Sequence, residues 1–484
     1  MYKIAEIRLD SMTSPAAPVV RQLPSDEELR TLLADQIDAQ HKSVGMVIGI
    51  ITPEGRRVVS HGCTSHTQGR PVDGDTVFEI ASVTKVFTTL LLADMTQRGE
   101  VALGDPLAAY LPGNVRVPQR KGRQITLVDL ATHTSGLPPQ PPNLSGLDDP
   151  AAATYSAEQL YSSLSTYELT RDIGSEWEYG NLDTALLGHA LSRRAGTDYE
   201  SLVRTRVTGP LGLWRTSTVE ASFEPNMAVS HDSDLRPTQR LALGALAPAG
   251  AMFSSANDLL TLLGVCLGIV PSPLAAAFQA MVATRRPMRP PMLAMLRRHW
   301  RTILRMAFSH RRRGGRQSPV FSRAEQALGW YIVGRGEEEI VVHDGAGPSC
   351  AASIAYDGKS RTGVVVLSNT GMMVQDISRH VLWSESPLAR PRREVTLDPT
   401  LLDRYVGQYQ AATSPPFRVL RKGDRLYMRV PYMATMPLRP ESEHDFYVPE
   451  LQFEFVFDWD AEGRVKEMLF GPRRGQPMLP LRKR

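Results

Sequence analysis

The pattern that most constrains this chain is strand-like sequence in two blocks far apart, with helix-like sequence between them. Val44 to Ile51, a turn at Pro53-Glu54-Gly55 and Arg56 to Ser60 read as a β-hairpin. Strand patterns return at Leu328 to Val333, Glu339 to His343, Ala351 to Tyr356 and Thr362 to Leu367, followed by a helix from about Val374 to Leu382. The intervening stretch is mainly helical to about residue 282, broken by the Pro-rich loop 138–142. Strands at both ends that bracket helices are best buried in one antiparallel sheet, with helices packed on it and a helical lobe inserted beside it. The expected fold class is therefore α/β (α+β), with a cleft between lobe and sheet.

At 484 residues the chain exceeds one ordinary core, so two domains are expected. Residues 1–23 read as a tail, after which Ser25-Asp26-Glu27-Glu28 is a capping box opening a helix with Leu29, Leu32, Leu33 and Ile37 at helical spacing. The first domain spans 24–390. A Pro/Arg-rich connection, Pro387 to Arg393, leads to a second unit at 398–484. Its alternating segments, Phe417 to Val430 turned at Lys422-Gly423-Asp424 and Phe453 to Phe470 turned near Glu462-Gly463, read as hairpins of a small all-β barrel.

Composition excludes several classes. Apolar residues at 42% and charged ones at 22% are those of a globular protein. A net charge of +4 over this length argues against a nucleic-acid partner. Cys63, Cys266 and Cys350 are scattered and odd in number, which fits a reducing compartment or core packing. The first ten residues lack a signal-peptide core and no window has transmembrane length, so a cytoplasmic location is expected. The eleven histidines are dispersed, and neither His-Glu-x-x-His nor Cys-x-x-Cys occurs, so no metal or cofactor is expected.

The chemistry begins at Ser82-Val83-Thr84-Lys85, inside the apolar run 78–92. Residues three apart share a helix face, so the Ser82 hydroxyl and Lys85 amine can meet. A serine needs an adjacent base to act as nucleophile, and burial in an apolar helix favours the neutral, basic lysine. Alone, the spacing occurs by chance in any long chain. Two further pieces follow: Tyr179-Gly180-Asn181 offers a phenol and an amide from one tight loop, and Val341 to Gly347 carries His343 at a strand end before Asp344-Gly345-Ala346-Gly347. Gly-x-Ser-x-Gly is absent around Ser82, so an α/β-hydrolase elbow is not the reading.

Ser-x-x-Lys, Tyr-x-Asn and a Lys/His-x-Gly strand, in this order, resemble the penicillin-recognising serine hydrolases: class C β-lactamases, D-alanyl-D-alanine carboxypeptidases, D-aminopeptidases and related esterases. The runs 76–82, 130–138, 209–213 and 249–259 look similar too. The C-terminal unit resembles the lipocalin-like barrel appended to many of these proteins. The resemblance implies a β-lactamase/transpeptidase-like fold and an acyl-enzyme on Ser82, formed from ester or amide bonds in a small-molecule or peptide substrate (D-amino-acid peptides, esters, β-lactams). It implies Lys85 as proton relay, Tyr179 as general base, Asn181 as a positioner of Lys85 and of a substrate amide, and the Ala346 N–H as the second oxyanion donor. Gly345 lets substrate lie close to the strand edge. His343 stands where the β-lactamase pattern usually has a lysine. A histidine is only partly charged near neutral pH, which points away from efficient penicillin hydrolysis and toward esterase, amidase or peptidase chemistry. The alternative acceptor is an amine, as in the stand-alone peptide macrocyclases of nonribosomal pathways that share this layout.

One segment lies outside that pattern. From Leu259 to Ala324 there is no Asp or Glu, while eleven arginines accumulate from Arg285 to Arg316. This basic insertion, 284–324, contains an amphipathic pattern at 292–308 with Arg297, Arg301 and Arg305 on one face. It reads as a lid with a solvated basic face, or as a docking element (residues 290–316) for a membrane surface or an acidic carrier protein.

Overall fold

The computed structural model describes residues 22–484 except 68, 147–149, 224, 289–322, 411–415, 431–434, 450–453 and 472–477. The tail through residue 21 and the docking segment 290–316 lie outside the described residues.

Eight antiparallel strands form the main sheet, in the order Gly55–Gly62, Gly45–Thr52, Thr362–Ser368, Ala351–Asp357, Glu338–Ala346, Tyr331–Arg335, Arg323–Gln326, Arg286–Pro287. The N-terminal hairpin thus forms one edge of the sheet and joins the late strands through its inner strand, where Val47 pairs Leu367 and Ile48 pairs Val366. Side chains alternate faces along a strand, and here both faces are covered. Met46, Ile48 and Ile50 pack under the helices Asp26–Ala34 and Gln375–Leu382. Val47, Val365 and Leu367 belong to the larger core on the other side, with the helices Thr84–Gln97 and Ala256–Cys266. Ser25 caps the first helix as its capping box predicts.

The helix Thr84–Gln97 is buried at every position through Met95, polar residues included, so those side chains need partners inside the protein. Its hydroxyls are satisfied locally: Thr89 Oγ1 donates to Lys85 O at 2.8 Å and Thr88 Oγ1 to Pro248 O at 2.7 Å. The helical lobe, including Ala157–Thr166 and Asn181–Ala195, packs beside this helix.

Two differences from the sequence reading stand out. The middle stretch is interrupted by a small sheet pairing Val77–Glu79 with Phe253–Ser255, which closes the lobe against the base of the Ser82 turn. The ends of the basic insertion are edge strands of the main sheet rather than lid: Arg286–Pro287 pairs Arg323–Gln326. Arg285 pairs with Glu339 at 3.0 Å and Arg286 Nη1 with Asp129 Oδ1 at 2.8 Å. Their charges are neutralised by acids far away in sequence, beyond the reach of a composition argument.

The C-terminal unit is a closed eight-stranded antiparallel barrel from Gly407–Gln410 to Leu479–Lys483, each strand pairing the next and the last pairing the first. Its interior is occupied by Tyr405, Tyr409, Phe446, Phe455, Phe457 and Met468, all buried, with Tyr405 packed edge-on against Phe446 and Phe457. Closure removes free sheet edges, and the filled interior makes this a packed core.

Asp129 ties the lobe to the sheet edge. It is fully buried and accepts from Arg123 Nη2 at 2.9 Å, Arg286 Nη1 at 2.8 Å and Thr126 Oγ1 at 2.6 Å. Removing it strands two arginines. Asp129→Ala is expected to lower stability by on the order of 3 kcal/mol, read as a lower urea midpoint for the first domain with the barrel transition unchanged.

Candidate active site

The Ser82 turn is built from strain and held by bonds. Ala81 adopts φ +42°, a left-handed conformation that costs a non-glycine residue about 1–3 kcal/mol. Thr84 Oγ1 donates to Ala81 O at 2.6 Å and accepts from Met252 N at 3.1 Å, and Ile80 N donates to Met252 O at 3.0 Å. Ser82 therefore sits on a 3₁₀ turn, Ala81–Val83, ahead of the α-helix. It stays partly exposed, whereas the thirteen residues that follow are all buried.

Lys85 lies one turn below. Nζ is 3.0 Å from Ser82 Oγ and donates to Asn181 Oδ1 at 2.8 Å and to Ala249 O at 2.7 Å. The side chain is 1% exposed, no carboxylate among the described residues pairs with it, and burial holds its pKa well below the usual lysine range. A neutral amine has two N–H bonds and one lone pair. Two acceptors that cannot donate in return take the N–H bonds, so the lone pair is left facing the Ser82 hydroxyl.

Tyr179-Gly180-Asn181 opens the helix Asn181–Ala195, whose first N–H is satisfied by Pro139 O at 2.8 Å. Gly180 lies where a Cβ would come within 2.6 Å of Pro139 Cα, so only glycine lets the loop pass. The Tyr179 ring lies 4.8 Å from Lys85 Nζ, and its phenol is coupled to Ser82 and to the Tyr331 hydroxyl. Burial raises the phenol above its usual value, and Asp344 adds to the rise. The phenol is thus held protonated, with no cation lowering it.

His343 differs most from expectation. The ring is completely buried and stacked on Tyr331 at 5.2 Å and 8°. Burial pushes its pKa down to about 3. It is uncharged at neutral pH, so it does not serve as a cation for a substrate carboxylate. Strand alternation explains the rest of the segment. His343 and Gly345 face the Ser82 turn. Asp344 faces the other layer, accepting from Ser353 Oγ at 2.7 Å and pairing with Arg379 at 2.9 Å. At Gly345 a Cβ would stand 2.2 Å from Ile80 O and 3.2 Å from Ser82 N. The strand therefore runs directly against the turn, bringing Ala346 just past it.

The structure thus gathers Ser82, Lys85, Tyr179, Asn181, His343, Gly345 and Ala346 into one place. It also supplies residues to which sequence reasoning gave no role. His133 packs on Tyr179 with ring centroids 4.8 Å apart and has Nδ1 3.5 Å from Asp183 Oδ2. Burial pushes Asp183 up to about 8 and His133 down to about 3. The run Thr132-His133-Thr134-Ser135 was visible as a motif, but its partner Asp183 was not. Among the described residues no group of three or more His, Cys, Asp or Glu side chains is placed to hold a metal.

Residues 31–379, which hold the whole of this arrangement, match the family model described as Beta-lactamase. The chain belongs to the β-lactamase family of serine hydrolases. In this β-lactamase-family chain residues 391–477 match a second model, Domain of unknown function (DUF3471), over most of the barrel. It is 33% identical over 227 residues to the D-alanyl-D-alanine-carboxypeptidase/endopeptidase AmpH of Escherichia coli (strain K12), covering 47% of this chain and 58% of that protein. Against Penicillin-binding protein 4* of Bacillus subtilis (strain 168) identity is 22% over 475 residues, 92% of this chain and 96% of that one. Matches to several curated relatives thus span little more than half their length. The fold is that of a class C β-lactamase from Rhodobacter sphaeroides, with TM-score 0.56 and 22% identity over 74% of this chain and 97% of that chain. Among the described residues no helix is long and apolar enough to cross a membrane.

Two outcomes follow from this geometry. Gly345→Ala should lower hydrolase activity by about 100-fold, because its Cβ meets backbone and shifts the strand from the Ser82 turn, while Gly347→Ala, whose Cβ meets only Cys350 Sγ at 3.5 Å, should cost far less; p-nitrophenyl ester turnover compares them. Asp183 binds its proton more tightly folded than unfolded, so its contribution to stability falls as pH rises from about 4 to about 8. Asp183→Asn should remove that slope in denaturation curves taken across this range.

Proposed function

We propose that this chain forms an acyl-enzyme on Ser82 from ester and amide substrates, with neutral Lys85 as the base. The observation that carries the reading is the lone pair of a buried, acceptor-bound Lys85 aimed at the one partly exposed residue of an otherwise buried segment. Ser82 Oγ attacks the carbonyl carbon as its proton passes to Lys85 Nζ. The developing oxyanion is received by the backbone N–H groups of Ser82 and Ala346. Tyr179, held protonated, gives its proton to the leaving group and recovers one from Lys85. Water then attacks the ester carbonyl, passing its proton to the Lys85–Tyr179 pair, which returns one to Ser82 Oγ. Asn181 and Ala249 O keep the Lys85 amine oriented throughout.

In this reading Lys85 takes the base role that the resemblance implies for Tyr179, and Tyr179, its phenol raised by burial, acts as the acid toward the leaving group. A buried neutral His343 likewise supports acyl chemistry that does not depend on a charged strand residue to hold a carboxylate. Relatives named as carboxypeptidase, esterase and β-lactamase support peptides and esters as the substrate classes.

Ser82→Ala should reduce p-nitrophenyl ester turnover by at least about 1,000-fold and abolish the acyl adduct in intact-mass spectra. Lys85→Arg, which fixes a charge and removes the lone pair, should cost about as much, whereas Tyr179→Phe should lose about 100-fold. A Lys85→Arg protein with near-normal acylation would assign the base elsewhere. Supplying an amine and identifying the products distinguishes water from an amine as the acceptor.

A further inference from the structure

The barrel's interior is filled, so what it does, it does with its outer surface. One strand of that surface carries contacts to two loops of the catalytic domain. Along Arg425–Arg429 alternate residues Arg425, Tyr427 and Arg429 point outward, while Leu426 and Met428 point into the barrel core. Arg425 Nη1 reaches Asp234 at 2.6 Å, and on the next strand Arg439 Nη2 reaches the same carboxylate at 2.7 Å. At the other end of the strand Arg429 Nη2 donates to Ser145 O at 3.0 Å.

These two anchor loops border the site from opposite sides. The Ser145 loop follows Pro139, whose carbonyl takes the first N–H of the Asn181 helix and whose Cα packs on Gly180. The Asp234 loop follows His231, which donates its N–H to Asn369 O; Gly371, two residues on, sits against Gly347 O, immediately after Ala346. The same loop runs on through Arg240 toward Ala249 and Gly250, the latter beside Ala81. Tyr427 lies midway along the strand between the two anchors. It is partly buried and lies opposite Leu420 and Pro437 in the barrel register.

The charges on this face are unbalanced at one end. Arg418 pairs directly across from Arg429. Like charges in that position are unfavourable, and among the described residues neither guanidinium meets a carboxylate.

Building on the acyl-enzyme reading, we infer that this barrel face is the distal wall of the substrate cleft, with Tyr427 contacting an extended peptidyl acyl chain and Arg418 with Arg429 receiving a carboxylate at its far end. Four extended residues reach roughly 13 Å, several times the span of a short ester acyl group.

The test uses the full chain carrying Ser82→Ala, so that binding is read without turnover. N-succinyl-tetra-D-alanine amide and its N-acetyl counterpart are titrated calorimetrically. The succinyl probe should bind about tenfold tighter. Adding Arg429→Gln should erase that ratio, with Arg418→Gln as the parallel variant should the first fail to fold, and adding Tyr427→Ala should weaken both probes about tenfold at unchanged melting temperature. Equal or undetectable binding of the two probes, a ratio that survives both arginine changes, or binding indifferent to Tyr427 overturns the inference. Failure of the hydrolase reading looks different: the unsubstituted chain then yields no Ser82 adduct although the binding ratio stands.

Discussion

Burial of Lys85 is the constraint on which the rest depends. Among the described residues no carboxylate offsets the desolvation of an ammonium in this position, so burial favours the neutral amine. Around that one group the fold brings Asn181 from the lobe, Ala249 O from the segment before the small sheet, and Ser82 from the turn above. Three parts of the chain converge on a single nitrogen. Their donor and acceptor chemistry fixes where its lone pair points.

The same low-polarity surroundings set the other titrating groups. His343 and His133 are both driven to about 3, Asp183 rises to about 8, and Tyr179 stays protonated. The centre of the site thus carries little net charge before substrate arrives. Charge is pushed to its edges, to Asp344 with Arg379 behind the strand and to Asp129 with Arg123 and Arg286 at the lobe–sheet junction. There it serves structure: the paired groups lock the strand and the lobe in place.

Much of the fold was legible because periodicity survives in any context. The hairpin at 45–62, the four late strands and the capping box at Ser25 follow from alternation and local hydrogen bonding. The two edge strands at Arg286–Pro287 and Arg323–Gln326 were missed, because they are short and polar and exist only by pairing with each other and with Tyr331–Arg335. The barrel's hairpins were equally readable. Its closure required a first-to-last pairing that no local pattern encodes.

For the site, the sequence by itself pointed to the side chains that the fold brings together: Ser82 and Lys85 by helical spacing, Tyr179, Asn181 and His343 by motif order. Tertiary structure decided their protonation. A histidine at a strand end is a pH-sensitive cation in water and an uncharged ring when stacked under Tyr331 with no solvent contact. A phenol that needs a cation to ionise finds none here. Charge state depends on desolvation and on neighbours contributed by remote segments, such as Ala249 O and Asp183, and those distances exist only once the chain has folded.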